Sequence, residues 1–196
     1  MAKIKTSEPG SKKEIIQKVA AALFREKGFR ATSMRELAAS VGIEAASLYN
    51  HIDGKNDLLI SICFKVANNF TRKISEVEAS DSNMLEKVEL LLRFHVHEMV
   101  NDYEYVYVSD REWRNMEEPE LTRYREMRRL YRRRFTNIVE KGILRGEIKK
   151  LDANTAVMII LNSISAVDQW HRIVHKVSAK DLEDNMVSIF IDGLRK

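Results

Sequence analysis

The sequence is poor in the residues that interrupt helices. Two prolines and seven glycines in 196 residues are too few for a chain of short strands and tight turns, so the expectation is all-α. One cysteine, Cys63, excludes an internal disulfide and fits a reducing compartment. It lies among apolar residues, where an inert buried thiol is expected. No apolar run reaches the roughly 18 residues that suggest a membrane span. The opening MAKIKTSEPGSKK has no apolar core of a secretory signal. The expectation is a cytoplasmic chain with no membrane partner. A glycine-rich phosphate loop and a G-x-S-x-G nucleophile motif are also missing, so nothing points to an enzyme or to a cofactor. Charge is only mildly unbalanced, with 33 Lys and Arg against 29 Asp and Glu. A net +4 is compatible with nucleic acid and does not establish it.

Helical periodicity fills most of the chain. Residues 1–10, with Lys3, Lys5 and Glu8, read as a basic arm, either a plain tail or a follower of DNA phosphates. Ser11 with Glu14 forms a capping box for a helix over 12–27, which stops at Gly28. Thr32 to Leu59 then carries two short helical patterns. The first places Met34, Leu37, Ala38 and Val41 on one face, with Ser33 and Glu36 as a second capping box. Gly42 ends it. The second begins four or five residues later and places Ala45, Leu48 and Ile52 on one face. Helix, glycine turn, helix is the helix-turn-helix pattern, whose second helix enters a major groove. Further helices are expected over about 55–78, from Met84, from the Glu117–Glu120 start to a stop at Gly142, over Ala153–His175 behind an Asp152 cap, and behind Ser178. Tyr103–Val108 has strand propensity and is read as helix, since no partner strand is in sight. The total is about nine helices.

The stretch VGIEAASLYNHIDGKNDLL resembles the hallmark segment of the TetR family of bacterial transcription repressors. Gly42, Leu48, Tyr49, His51, Lys55, Asp57 and Leu58 match in register, and FREKGFRATSMRELA matches the segment before it. Glu44, Ala45, Ala46 and Ile52 depart from the usual pattern. The resemblance implies a DNA-binding domain over 1–53 and a ligand-binding, dimerising domain over 54–196. It implies backbone contacts from Thr32, Tyr49, His51 and Lys55, and base contacts from residues 43–47. Ser33 and Arg35 are further donors of the kind phosphates accept. Among the base-facing residues, Ala45 and Ala46 permit close approach and suit a thymine methyl. Glu44 can accept from cytosine, or act merely as a dipole acid at the helix start. Ser47 can donate or accept.

In the second domain, Phe94, Met99, Tyr103, Tyr107, Trp113, Met127, Tyr131, Met158, Asn162 and Trp170 are candidate walls for an apolar ligand with a polar handle; such a stripe equally suits plain core. Seven arginines crowd residues 123–134. A solvated face paired with acids such as Asp110, Glu117, Glu118 and Glu120 is one reading. The other is an anion site at Arg128, Arg132 and Arg133, since guanidinium forks suit phosphates. The resemblance to the fatty-acid and sterol-catabolism branch suggests an acyl-coenzyme A effector. His95 and His97 cannot share a metal, being two apart. His171 and His175 with Asp168 have metal spacing, although an ordinary surface is the simpler reading. Apolar stripes at Ala156, Ile160 and Ile164, and at Leu182, Met186 and Ile189, suggest a homodimer that reads a palindrome. The expected partners are therefore a double-stranded operator, a second copy and a small apolar effector. The alternatives are a constitutive DNA-binding protein without effector, or an activator.

Overall fold

The computed structural model describes residues 11–173 and 177–196. The basic arm over 1–10 and the His175 half of the proposed metal pair lie outside them. The described residues are helical: α1 Lys12–Lys27, α2 Met34–Val41, α3 Ala45–Leu48, α4 Lys55–Ala79, α5 Met84–Asn101, α6 Tyr103–Arg111, α7 Glu120–Leu144, α8 Ala153–Ser165, α9 Val167–Trp170 and α10 Ala179–Leu194. A single 3-10 turn, Trp113–Asn115, follows α6. The β-structure among them is one bridge between Ile148 and Arg195. Tyr103–Val108 is helical despite its aromatic and branched residues, as tertiary packing overrides local propensity.

The chain forms two compact units. One comprises residues up to Val66 together with Glu104–Tyr124; the other comprises Ala67–Tyr103 and Arg125–Lys196. In the first, α1 packs on α2 and α2 on α3, burying Ile16, Ala20, Phe24, Leu37, Ala38 and Leu48. The Ser11–Glu14 box is complete, and Gly28 takes φ 85° where α1 ends. In the second unit α5 is central, packing against α8, α9 and α10 through Val88, Leu91, Leu92 and Val96. Arg93 ties α5 to α10 by bonds of 2.8 and 3.0 Å to Glu183 and Asp184. Cys63 is fully buried, as expected for a structural thiol.

Several local expectations change. Gly142 does not end its helix, because α7 continues to Leu144. Its role is spatial: a Cβ there would stand 2.5 Å from Ile148 Cδ1 and 3.1 Å from Met84 Cβ. The left-handed turn is made by Gly146 instead, at φ 73°. The single helix expected over 153–175 is broken at Ala166 into α8 and α9, and Ile173 is already non-helical. Side chains past the break are claimed by distant partners. Asp168 accepts from the Tyr103 hydroxyl. Trp170 Nε1 donates to the Val177 carbonyl at 3.0 Å, and His171 Nε2 donates to the Met99 carbonyl at 2.8 Å. The stripes expected to form a dimer face differ in exposure. Ile160 and Ile164 are buried within the same chain, and Met158, Ile159 and Ile189 are the exposed apolar residues of α8 and α10.

Candidate functional site

The helix-turn-helix forms around Gly42, which takes the left-handed conformation (φ 80°, ψ 31°) and donates its N–H to the Ala38 carbonyl. Ser33 caps α2 by accepting from the Glu36 N–H at 3.2 Å. The expected reciprocal arm is absent, because the Glu36 carboxylate pairs with Lys27 instead. That pair lowers the Glu36 pKa and raises that of Lys27. α3 has only four residues, and the one it buries is Leu48. Ala45 is exposed, contrary to its expected place on the buried face, while Ile52 is buried beyond the helix end. Glu44 occupies the N-cap position of α3 without a side-chain cap bond. Glu44, Ala45 and Ala46 are exposed and Ser47 half-buried; Ser33, Arg35, Tyr49 and His51 are exposed around them. This is a small polar surface ringed by donors suited to phosphate and base edges.

Two expected phosphate contacts have other work. Thr32 is buried, and its hydroxyl donates to the Gly28 carbonyl at 3.0 Å. Lys55 Nζ donates to the Phe29 and Thr32 carbonyls at 2.9 Å each and to Arg30 O at 3.4 Å. It also lies 4.5 Å from the Phe29 ring centroid. These residues clip the α1–α2 loop to the start of α4. Their sequence positions gave no sign of it, because the acceptors are backbone atoms some 25 residues away.

The second unit holds two mixed aromatic and polar clusters. In the first, Phe70 of α4 meets Phe94, His95 and Tyr131 edge-on, with centroids 5.0, 4.7 and 5.8 Å away. His95 Nε2 lies 2.7 Å from the Tyr131 hydroxyl. Burial raises the Tyr131 pKa. One turn further along α5, the buried Glu98 accepts from Asn69 Nδ2 at 2.7 Å. Desolvation, aided by Asp102, raises its pKa. In the second cluster, Tyr103 stacks on His171 at 3.8 Å and donates to Asp168, which also receives Arg172 at 3.0 Å.

The structure thus gathers Phe94, Tyr131, Met99, Tyr103 and Trp170 of the expected ligand set within this unit. Met127 is half-buried, and Met158 and Asn162 face outward. Tyr107 and Trp113 belong to the first unit. Phe70, His95 and Glu98 went unrecognised as site residues. Glu98 stands four residues after Phe94 and His95 four before Met99, the helical spacing that was the available signal; Phe70, on α4, gave none. No cluster of metal-ligating groups occurs among the described residues, and none of their helices is long and apolar enough to cross a membrane. On α7, Arg134 bonds Glu78 at 3.1 and 3.2 Å, and Arg129 stands 4.0 Å from Glu126. Arg132 and Arg133 are exposed and Arg128 is half-buried.

Comparison with known proteins agrees with this architecture. Residues 16–62 match the family model described as bacterial regulatory proteins, tetR family. Residues 81–194 match the tetracyclin repressor-like C-terminal domain. The HTH-type transcriptional repressor KstR2 of Rhodococcus jostii is 25% identical over 191 residues, covering 96% of this chain and 93% of that protein. The fatty acid metabolism regulator protein of Bacillus subtilis is 23% identical over 171 residues, or 86% and 88% of the two chains. Among solved structures, the ketosteroid regulator KstR2 of Mycobacterium tuberculosis superposes with a TM-score of 0.89 at 21% identity, covering 96% of this chain and 97% of that one. AibR in complex with isovaleryl coenzyme A and operator DNA gives 0.80 at 20% identity, covering 91% and 97%. With one model spanning the helix-turn-helix and the other more than half of the chain, this protein belongs to the TetR family of DNA-binding transcriptional regulators.

Proposed function

We propose that the chain is a ligand-responsive repressor that holds a palindromic operator as a homodimer and is released by a small apolar effector. The observation that carries this is the reading surface around Gly42. A four-residue helix is anchored by Leu48 alone, and its remaining residues are presented to solvent among Ser33, Arg35, Tyr49 and His51. Dimerisation places a second copy of that surface across a two-fold axis, so the half-sites lie about 34 Å apart, one turn of DNA. The exposed Met158, Ile159 and Ile189 supply the apolar contact, with α8 and α10 pairing against their copies in a four-helix arrangement.

The effector acts by population shift: it binds the conformation that fits DNA poorly better than the one that fits well, by about 1–3 kcal/mol. The aromatic cluster of Phe70, Phe94, His95 and Tyr131 suits an apolar group, with Glu98 and Tyr131 as polar handles. An acyl-coenzyme A is the effector class we favour. AibR was solved with such a thioester and with operator DNA, and Arg128, Arg132 and Arg133 offer guanidinium forks for phosphates. The protein acts by binding alone, in the cytoplasm.

The test is a titration onto the DNA upstream of its own gene at two salt concentrations, with and without a long-chain acyl-coenzyme A. Salt-steep binding relieved by the thioester supports the whole reading. Binding indifferent to it keeps the DNA-binding regulator and refutes this effector class. Binding no tighter than to random DNA refutes this operator.

A further inference from the structure

From Arg125 onward α7 belongs to the second unit, and its two sides differ in chemistry. Phe135, Thr136, Ile138 and Val139 are buried. The opposite side is exposed and carries Arg125, Arg129, Arg132 and Arg133. Steps of four and three residues, from 125 to 129 to 132, keep these on one stripe, with Arg133 one turn beyond Arg129. Two neighbouring arginines stand apart from it: Arg134 is held by Glu78, and Arg128 is half-buried. The acid beside the stripe is Glu126, 4.0 Å from Arg129. The side chains of that pair are 79% and 63% exposed, so the contact neutralises little. Arg125, Arg132 and Arg133 form no ion pair among the described residues.

The length of the stripe decides what it fits. From Arg125 to Arg133 the helix rises about 12 Å. The phosphates of a small molecule reach one end of that, such as Arg132 and Arg133. A repeating polyanion covers all of it, and a DNA duplex carries about seven backbone charges over the same length. Guanidinium forks grip phosphate oxygens in pairs, and such contacts read no sequence. A lipid surface fits less well. The apolar side of α7 is committed to the core, and Leu130, the exposed apolar residue beside the stripe, gives too little area to insert. We propose that this stripe of α7 is a second, sequence-independent surface for duplex DNA, distinct from the helix-turn-helix. It goes beyond the operator and effector readings, and either of those can hold if it fails.

The experiment uses the full chain, a labelled random-sequence duplex and anisotropy across a salt series. Arg35→Ala, Tyr49→Ala and His51→Ala together first disable the helix-turn-helix at exposed positions. The binding that remains should weaken about a hundredfold between 50 and 200 mM salt, as four phosphate contacts at about 0.9 each in the salt slope require. Adding Arg125→Gln, Arg129→Gln, Arg132→Gln and Arg133→Gln, all to a good helix former, should abolish it. Circular dichroism checks that the helices persist. Lysine at the same four positions keeps the charge and should restore binding, which separates lost contacts from lost folding. Arg125→Gln with Arg129→Gln alone should remove about half the slope. The proposal is overturned if the disabled chain keeps no salt-steep binding, or if the four glutamines leave its slope unchanged. A remainder that needs Arg132 and Arg133 but not Arg125 and Arg129 marks a small-anion site and also overturns it. So does capture by phosphatidylserine vesicles that the glutamines abolish while duplex binding is untouched. Operator binding by the unmodified chain stands or falls by its own titration.

Discussion

Lys55→Met separates two jobs that the same lysine could have. The substitution keeps the aliphatic stem and removes the ammonium, which donates to three backbone carbonyls at 2.9, 2.9 and 3.4 Å. The long contact is exposed and contributes little. The two short ones are charge-assisted but partly solvated, about 1 kcal/mol each at the lower end of the usual range. The ammonium over the Phe29 ring at 4.5 Å adds about 0.5–1 kcal/mol. The expected loss is about 2–3 kcal/mol, or roughly 5–10 °C in the midpoint for a chain of this length. Chemical and thermal unfolding measure it. DNA titration across a salt series supplies the second reading. A lysine on a phosphate releases a counterion, and its loss would lower the salt slope by about 0.9. A clip leaves that slope unchanged in the molecules that remain folded. Unaltered stability with a slope reduced by about one would refute the clip.

Other perturbations have equally definite outcomes. Gly142→Ala must force Ile148 and Met84 apart and costs about 1–3 kcal/mol despite the better helix propensity of alanine, which urea unfolding checks. Ile189→Asp, at a residue 71% exposed, should leave the monomer fold intact and abolish the dimer in sedimentation; a persisting dimer would move the interface elsewhere. Glu44→Ala should change the preferred base in a competition against operator variants while leaving the salt slope alone. Burial raises the Glu98 carboxyl above its ordinary 4.5. The folded state then binds the proton more tightly than the unfolded chain, so stability present below that value is lost as pH rises through the folded pKa. Glu98→Gln, which keeps an acceptor for Asn69, should flatten this loss. It should be more stable than the parent at neutral pH and no different in acid.

What was legible in the sequence was what local chemistry decides. Ser11, Asn83, Asp152 and Ser178 accept from the N–H three residues on, and of these only the Asn83 cap went unread. Gly28 and Gly42 end helices because positive φ is cheap there. The recognition turn follows from such signals and from the family pattern. The failures share a cause of another kind: side chains whose partners are distant in sequence. Gly142 resembled a stop and is a gap for Ile148. The helix through Ala166 has unbroken apolar periodicity, yet Asp168, Trp170 and His171 are drawn to Tyr103, Val177 and Met99. Met158 and Asn162 sit at helical spacing from buried neighbours but on the opposite face. Lys55 looked like any exposed cation beside a DNA-binding motif, and only its three carbonyl acceptors reveal the clip.

The shortness of α3 has a consequence for how this protein can diversify. The helix is held by Leu48 and by the turn at Gly42, while Glu44, Ala45 and Ala46 face solvent. Exchanges at exposed positions of this kind cost within about 0.5 kcal/mol. Under the proposed reading, the letters that choose an operator can therefore be rewritten without renegotiating the fold. Duplicated copies of such a gene would be free to drift toward new promoters, and those three exposed positions are where a designer would begin to retarget one.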